Sequence, residues 1–377
     1  MSINTTQYHQ EGANTFRRSS RAIVEGWGNY IIRIGTNLQN IEQELRRIYH
    51  AKGYNAAIHL EKCIHYLKTK QYDHFTSDEL KTLNIFNQSD QAGAEALIVA
   101  YLCSKGKFRD LFLNNIKPHV FVALHLFSSV WQEELNKISS GDFKISIQEF
   151  LGRDIRDLQK HHYWKTLDNI IKSSDGWEGG RRYYYIGKKV CHAGNYGMRG
   201  NTFRLAVLEE SRGQIALTKQ QADEYIRFYH MLFPEISEWH RDTIRQLEAT
   251  RTLYNLFGYP KYFGQEIRET MFNEAYSFVP QSTVACITAK AYCKLQDFIE
   301  SNNLNWDLLA DTHDSYMLQT PIQESLEALK IMKSFIEQDL ISPRNEPFKM
   351  RAECQHGFIW CKAKEKYPEG MTEVKLN

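Results

Sequence analysis

No stretch of this chain approaches the ~18 consecutive apolar residues that a membrane span requires, and its first twenty residues are polar, without the apolar core of a secretion signal. The expectation is a cytoplasmic protein with no membrane partner. A disulfide framework is also lacking. The seven cysteines are odd in number and irregularly spaced, which fits a reducing compartment. Neither sign of charge is in excess: 47 Lys and Arg stand against 45 Asp and Glu, a formal net charge of +2. Any nucleic-acid surface must therefore come from local clustering of cations. Glycine-rich phosphate loops of the Walker type are absent. What remains is a globular composition, 42% hydrophobic and 24% charged over 377 residues, enough for one large core or two to three lobes.

The stretch Asp311-Thr312-His313-Asp314-Ser315-Tyr316 lies between two runs of strand character, Trp306 to Ala310 and Tyr316 to Thr320, and so reads as the tip of a β-hairpin. A carboxylate held there suits a hard divalent cation, because the sheet fixes the direction of its oxygens. Asp314 and Ser315 also serve as ordinary turn residues in such a place. A second carboxylate stands at Asp90, between a short strand over Leu83 to Asp90 and an apolar helix over Gln91 to Leu102. It reads either as a helix N-cap or as one of two carboxylates able to bridge paired cations.

Residues 42 to 83 have a helical pattern, with Ala57, Leu60, Ile64 and Leu67 on one face and Thr76-Ser77-Asp78-Glu79 opening a further helix. His119, His125, His161 and His162 show no metal-ligand spacing and read as core or surface histidines. Lys188, His192 and Tyr196 are spaced i, i+4, i+8 and share one helical face. Such a face can hold a polyphosphate at its cationic end and stack a base or sugar at the other, or it is simply a basic helix start with a Tyr-rich core side. Residues 268 to 299 read as a long helix bearing Gln281, Glu324 to Ile341 as a helix behind the sheet, and Met350 to Trp360 as a strand. Cys354, His356 and Cys361 match no usual zinc-finger spacing.

Taken in order, Arg17-Arg18-Ser19-Ser20, Thr36-Asn37-Leu38-Gln39-Asn40-Ile41, Asp90 with Glu95, Lys188 with His192 and Tyr196-Gly197, Leu256-Phe257-Gly258, Pro280-Gln281-Ser282-Thr283 and His313-Asp314 resemble the palm and fingers of family A DNA polymerases, and look closest to phage members. The resemblance implies an α+β right-hand fold, with an antiparallel palm sheet, helical fingers, and a thumb that is missing or reduced. The palm would occupy residues 1–117 and 263–377, with a helical insert at 48–83, and the fingers 118–262. The setting would be the cytoplasm of a bacterial or phage-infected cell. The implied activity is template-directed extension of a primer 3′ end with deoxynucleoside triphosphates. Two rival readings are a single-subunit RNA polymerase and a catalytically silent DNA-binding subunit.

By the same resemblance, Asp90, the backbone carbonyl of Gln91, and Asp314 would hold two Mg2+ ions, with Mn2+ as a substitute. Lys188 would contact the triphosphate, with Lys189 as the alternative if the helix register slips. Glu95 and Tyr196 would crowd the sugar 2′ position. His192 and Arg182 complete the nucleotide-binding set. Arg17, Asn37, Gln39, Asn40, Gln281 and His313 would track primer-template DNA. The sequence departs from the family at Tyr184, where Arg is usual, at His192, where Phe or Tyr is usual, and at Ser315, where Glu follows His-Asp. Ala92, Asn273 and Ser277 also depart from it. With the thumb and exonuclease expected to be absent, grip and proofreading would come from a separate exonuclease, thumb or processivity subunit, or in part from the insert before Asp90.

Overall fold

The computed structural model describes residues 46–138, 146–173, 180–264 and 268–376, together with three strands nearer the N terminus. Those strands, β1 (Thr6–His9), β2 (Ser19–Trp27) and β3 (Tyr30–Ile34), form an antiparallel sheet of their own. Helices α1 (Ala56–Thr69) and α2 (Ser77–Thr82) precede β4 (Asn84–Gln91). The helical stretch that follows comprises α3 (Ala94–Leu102), α4 (Lys107–Leu113), α5 (Pro118–Leu126), α6 (Ser128–Ile138), α7 (Ile147–Leu151), α8 (Ile155–Lys160), α9 (His162–Ser173), α10 (Gly180–Asn195), α11 (Gly200–Glu210), α12 (Lys219–Leu232) and α13 (Pro234–Thr250). A short hairpin, β5 (Thr252–Tyr254) with β6 (Pro260–Tyr262), leads to the long α14 (Glu269–Ser301). The chain ends with β7 (Asp307–Thr312), β8 (Ser315–Pro321), α15 (Ser325–Ile336), β9 (Asp339–Ile341), β10 (Pro347–Lys349), β11 (Ala352–Gly357), β12 (Ile359–Lys362) and β13 (Gly370–Val374).

Two compact units divide the chain. One holds residues 1–94, 281–341 and 347–377, the other 95–280 and 342–346. These divisions fall at 94 and 280, whereas the sequence reading set its boundaries at 117 and 262. Among the described residues no helix is long and apolar enough to cross a membrane.

The first unit is built on a six-stranded sheet in the order β12-β13-β11-β4-β8-β7. The expectation of an antiparallel sheet needs correction, because β12 runs parallel to β13 while the other pairings are antiparallel. The reversal follows a break at Phe358, and it requires a close crossing of backbones: a Cβ on Gly357 would lie 2.6 Å from the carbonyl carbon of Gly370. On one face, α15 packs behind Ser89, Tyr316 and Cys354. The Tyr316 phenol donates to the Met332 carbonyl at 2.5 Å, and burial holds that phenol protonated well above its usual range.

The segment before β4 joins the same core. Cys63, Tyr66 and Leu67 of α1 are buried with Ile85, Phe86, Met317 and Phe358, so the insert packs as part of the sheet unit. Local chemistry sets its helix ends. The Asn55 side chain caps α1 by accepting from the Ala57 amide, and Thr76 with Glu79 closes a capping box on α2, as the sequence indicates.

In the second unit α10 lies against α5, α9 and α12. Gly187 allows the approach to α5, since a Cβ there would meet the His119 carbonyl oxygen at 2.5 Å. The far end of α10 is pinned by Asn195, whose side chain accepts from the Tyr229 phenol at 2.6 Å and whose carbonyl accepts from His240 at 2.8 Å.

Burial keeps three histidines neutral. His125 and His240 are lowered to about 4, and His356, buried and next to the Lys70 ammonium, to about 3. An unfolded histidine takes its proton near pH 6.5. Between pH 6.5 and 4 the unfolded chain therefore binds more protons than the folded one, and stability falls as pH falls through that window. Urea midpoints measured from pH 7 to pH 4.5 should drop steadily, with proton uptake on unfolding; a flat profile would contradict the neutral burial of these rings.

Candidate active site

Two sets of side chains carry chemistry, one in each unit. In the first, β4 and β8 pair so that Asp90 stands directly opposite Ser315, and the amide of Gln91 donates to the carbonyl of Asp314 at 2.9 Å. Asp90 and Asp314, distant in sequence, thus occupy neighbouring positions at one end of the sheet, and both are half-buried. Asp90 lies within β4, and α3 begins only at Ala94, so the helix N-cap reading does not hold. The turn between β7 and β8 is the two residues His313 and Asp314, with His313 at a φ of 63°. A positive φ at the first turn position matches the twist of a tight hairpin. His313 is exposed at the tip.

Ser315 is turned inward. Its hydroxyl lies 2.6 Å from that of Thr312 and accepts from the Gln88 amide at 2.9 Å. On the other side of Asp90, β11 places Glu353 in register. Cross-strand partners project to the same face, so Glu353, exposed, shares the Asp90 face opposite α15. Sequence reading passed over Glu353, because only the strand register relates it to Asp90.

It also passed over Thr288. This buried α14 hydroxyl accepts from the Gln91 side-chain amide at 2.6 Å, and its one proton is shared between the His313 and Val284 carbonyls, each at 3.2 Å. One side chain thereby ties the end of the Asp90 strand to the Asp314 turn. Gln281, half-buried, lies seven residues before Thr288, two turns earlier on the same helical face. Arg17, Asn37, Gln39 and Asn40 lie outside the described residues.

The second set sits on and around α10. Lys188 and His192 are exposed and Tyr196, just past the helix end, is 7% exposed. The Tyr196 phenol donates to Glu95 in a short hydrogen bond, and the His192 ring stands edge-on to it, with centroids 4.9 Å apart. With its amide nitrogen facing oxygen, Asn273 donates to the Tyr196 and Gly197 carbonyls at 3.2 Å each, bracing the phenol's backbone. One turn before Lys188, Tyr184 meets His119 of α5 at 2.9 Å. The sequence marks His119 only as a core or surface histidine, because its contact with Tyr184 depends on α5 packing and leaves no local signal. Lys189 is ion-paired with Glu210, which also accepts from the Tyr185 phenol at 3.1 Å. Burial, then that carboxylate, raises the Tyr185 phenol. Lys188, in contrast, makes no ion pair among the described residues. Arg182 lies about 120° around the helix from Lys188, on the side where its charge acts on Tyr225 of α12. The structure does not bring it to the Lys188 face.

Residues 181–362 match the family model described as DNA polymerase family A. That match takes in just under half of the chain. The matched span contains Lys188, His192, Tyr196, Gln281, His313 and Asp314, and it leaves Asp90 and Glu95 outside. Two relatives are a DNA polymerase I from Borreliella burgdorferi, 24% identical over 159 residues, and a DNA polymerase of Bacillus phage SP01, 25% identical over 129. These alignments cover 40% and 33% of this chain but only 17% and 14% of the relatives. The fold is similar to that of the POL domain of Pol1 from M. smegmatis, solved in complex with DNA primer-template and dNTP, with a TM-score of 0.58 at 15% identity. That match covers 94% of this chain and 47% of the other, so the chain spans less than half of that structure. The likeness in fold thus covers almost the whole chain, while the family model matches only from α10 onward.

Thr288→Val removes the hydroxyl but keeps the shape, leaving the buried Gln91 amide and the His313 carbonyl without that partner. The variant should lose about 1–3 kcal/mol of stability in urea unfolding, and wild-type stability would show that the tie carries no load.

Proposed function

We propose that this chain is a DNA-directed DNA polymerase, adding deoxynucleoside triphosphates to the 3′ end of a primer paired to a template. The observation that carries the reading is the strand register that makes Asp90 and Asp314 neighbours, in a chain whose residues 181–362 match the family A DNA polymerase model. The palm would be residues 1–117 and 263–377, and the fingers 118–262.

The donor set fits Mg2+. Asp90, Asp314 and the backbone carbonyl of Gln91 offer oxygen only, as a hard cation requires, and Mn2+ takes the same ligands. A pair of such ions, when bound, supplies a more nucleophilic primer hydroxyl and neutralises the charge of the triphosphate and the leaving pyrophosphate. The two carboxylates hold that charge in place, and Thr288 limits their movement through Gln91 and the turn. Lys188 binds the triphosphate, and its Nζ gives a proton to the leaving pyrophosphate oxygen. Lys189 is occupied by Glu210, which favours Lys188 in this role.

Glu95 and Tyr196 form the sugar gate. Their mutual hydrogen bond holds the carboxylate and the ring together, and a ribose 2′-hydroxyl would have to break that bond or clash with the pair. His192 lies beside the sugar. Tyr184 with His119 offers hydroxyl and imidazole donors one turn from Lys188, where the family has a guanidinium. Gln281 and His313 contact the duplex near the primer end, joined by Arg17, Asn37, Gln39 and Asn40.

Purified chain with a primed template should extend the primer only with a divalent cation and with deoxynucleotides. Asp90→Asn and Asp314→Asn should each lower kcat roughly 10³-fold or more. Glu95→Ala should raise ribonucleotide incorporation about 10- to 100-fold relative to deoxynucleotides. Full duplex binding without metal-dependent extension would instead identify a silent DNA-binding subunit.

A further inference from the structure

Where α1 ends, the chain reverses tightly. Lys70 takes the left-handed conformation, with a φ of 64° and its amide bonded to the Tyr66 carbonyl, and the next turn folds back over the helix. The turn is anchored on both sides. The Tyr72 ring stacks on Tyr66 with centroids 5.2 Å apart, and Phe75 is buried in the core of the sheet unit. Between those anchors, Asp73 and His74 are set down beside His65 of α1.

The three side chains converge through their donor atoms. His65 Nε2 lies 3.3 Å from Asp73 Oδ1, His74 Nε2 lies 3.6 Å from Asp73 Oδ2, and one ligand atom from each residue lies within 4.8 Å of the others. Ligands ~2.1 Å from a tetrahedral Zn2+ stand about 3.4 Å apart, close to the distance from each imidazole to its own Asp73 oxygen, Oδ1 for His65 and Oδ2 for His74. The two rings are close, with centroids 3.9 Å apart and planes tilted by 36°. Two imidazolium cations would repel at that distance, whereas two neutral imidazoles sharing one cation would not. His65 Nε2 is itself buried, with no hydrogen bond of good geometry, although the rest of the ring is partly exposed. It is therefore a ring nitrogen withdrawn from water and facing the Asp73 carboxylate.

We propose that His65, Asp73 and His74 form a binding site for one divalent transition-metal ion of the Zn2+ class, with the fourth position left to water. Two imidazoles and one carboxylate select Zn2+, Co2+ or Ni2+ over Mg2+, because nitrogen donors suit borderline cations and Mg2+ prefers an all-oxygen shell. The site is distinct from the Asp90 and Asp314 pair in residues and in ligand chemistry. It clips the turn after α1 to the helix that packs on the sheet, so occupancy adds stability to the insert. The inference does not depend on the polymerase reading.

The full chain would be titrated with Zn2+ and with Co2+ by calorimetry and visible absorption, in millimolar Mg2+ to fill oxygen-only sites. The expected result is one equivalent bound, a tetrahedral Co2+ spectrum, and a thermal midpoint raised by Zn2+. His74→Ala and Asp73→Asn, both at exposed positions that leave the core intact, should weaken binding by roughly 100-fold and abolish the Zn2+ shift in midpoint. An Asp90→Asn, Asp314→Asn double variant should bind as the wild type does. Undiminished affinity in His74→Ala, loss of binding in the double variant, or absence of saturable binding in the wild type would each overturn the proposal.

Discussion

The pairing of β4 with β8 is the constraint on which the first unit depends. Both strands are almost wholly buried, and their side chains alternate between a face covered by α15 and a face that carries Asp90. A slip of one residue would send Asp90 into the Tyr316 and Cys354 layer and bring Ser89 out in its place. Burial makes such a slip costly. An ionised carboxylate behind α15 would lose its water with no cation to compensate, so the apolar packing of the sheet holds the acidic residues on their own face. Thr288 then reaches from α14 to both strand ends, linking the register to the turn.

In the second unit the corresponding constraint is the seating of α10. Close contact with α5 at Gly187 and the grip of Tyr229 and His240 on Asn195 set both the depth and the rotation of this helix. Rotation decides chemistry here. It leaves Lys188 and His192 in solvent, buries Tyr196 against Glu95, gives Lys189 to Glu210, and directs Arg182 toward α12. Two adjacent lysines with the same intrinsic chemistry are given different surroundings by 100° of helix rotation.

Much of this was legible in the residues. The strand-turn-strand pattern around His313 and Asp314, the i, i+4, i+8 spacing of Lys188, His192 and Tyr196, and the Thr76 to Glu79 cap are all local signals, and the structure has each element in place. The errors arose where a neighbour outside the local segment decides. For Asp90 both a helix cap and a metal carboxylate stay open in the sequence, because strand followed by helix is all that a short window shows; its partners Ser315 and Glu353 come from far along the chain. The sheet read as antiparallel because the reversal of β12 relative to β13 depends on a backbone crossing at glycines, and strand propensity does not encode direction. His119, Thr288 and Glu353 gave no warning, each being an ordinary residue of its element.

The sequence by itself determined the chemical vocabulary: oxygen-only acids at Asp90 and Asp314, a lysine, an imidazole and a phenol on one helical stripe, and the order in which they occur. Periodicity and capping suffice for this because they depend on bonds and contacts within a few residues. Tertiary structure decided which of those groups meet, through the register of β4 on β8, the rotation of α10 and the reach of Thr288. Such pairings close long loops and are selected by the packing of a whole core, so no local stretch of residues contains them.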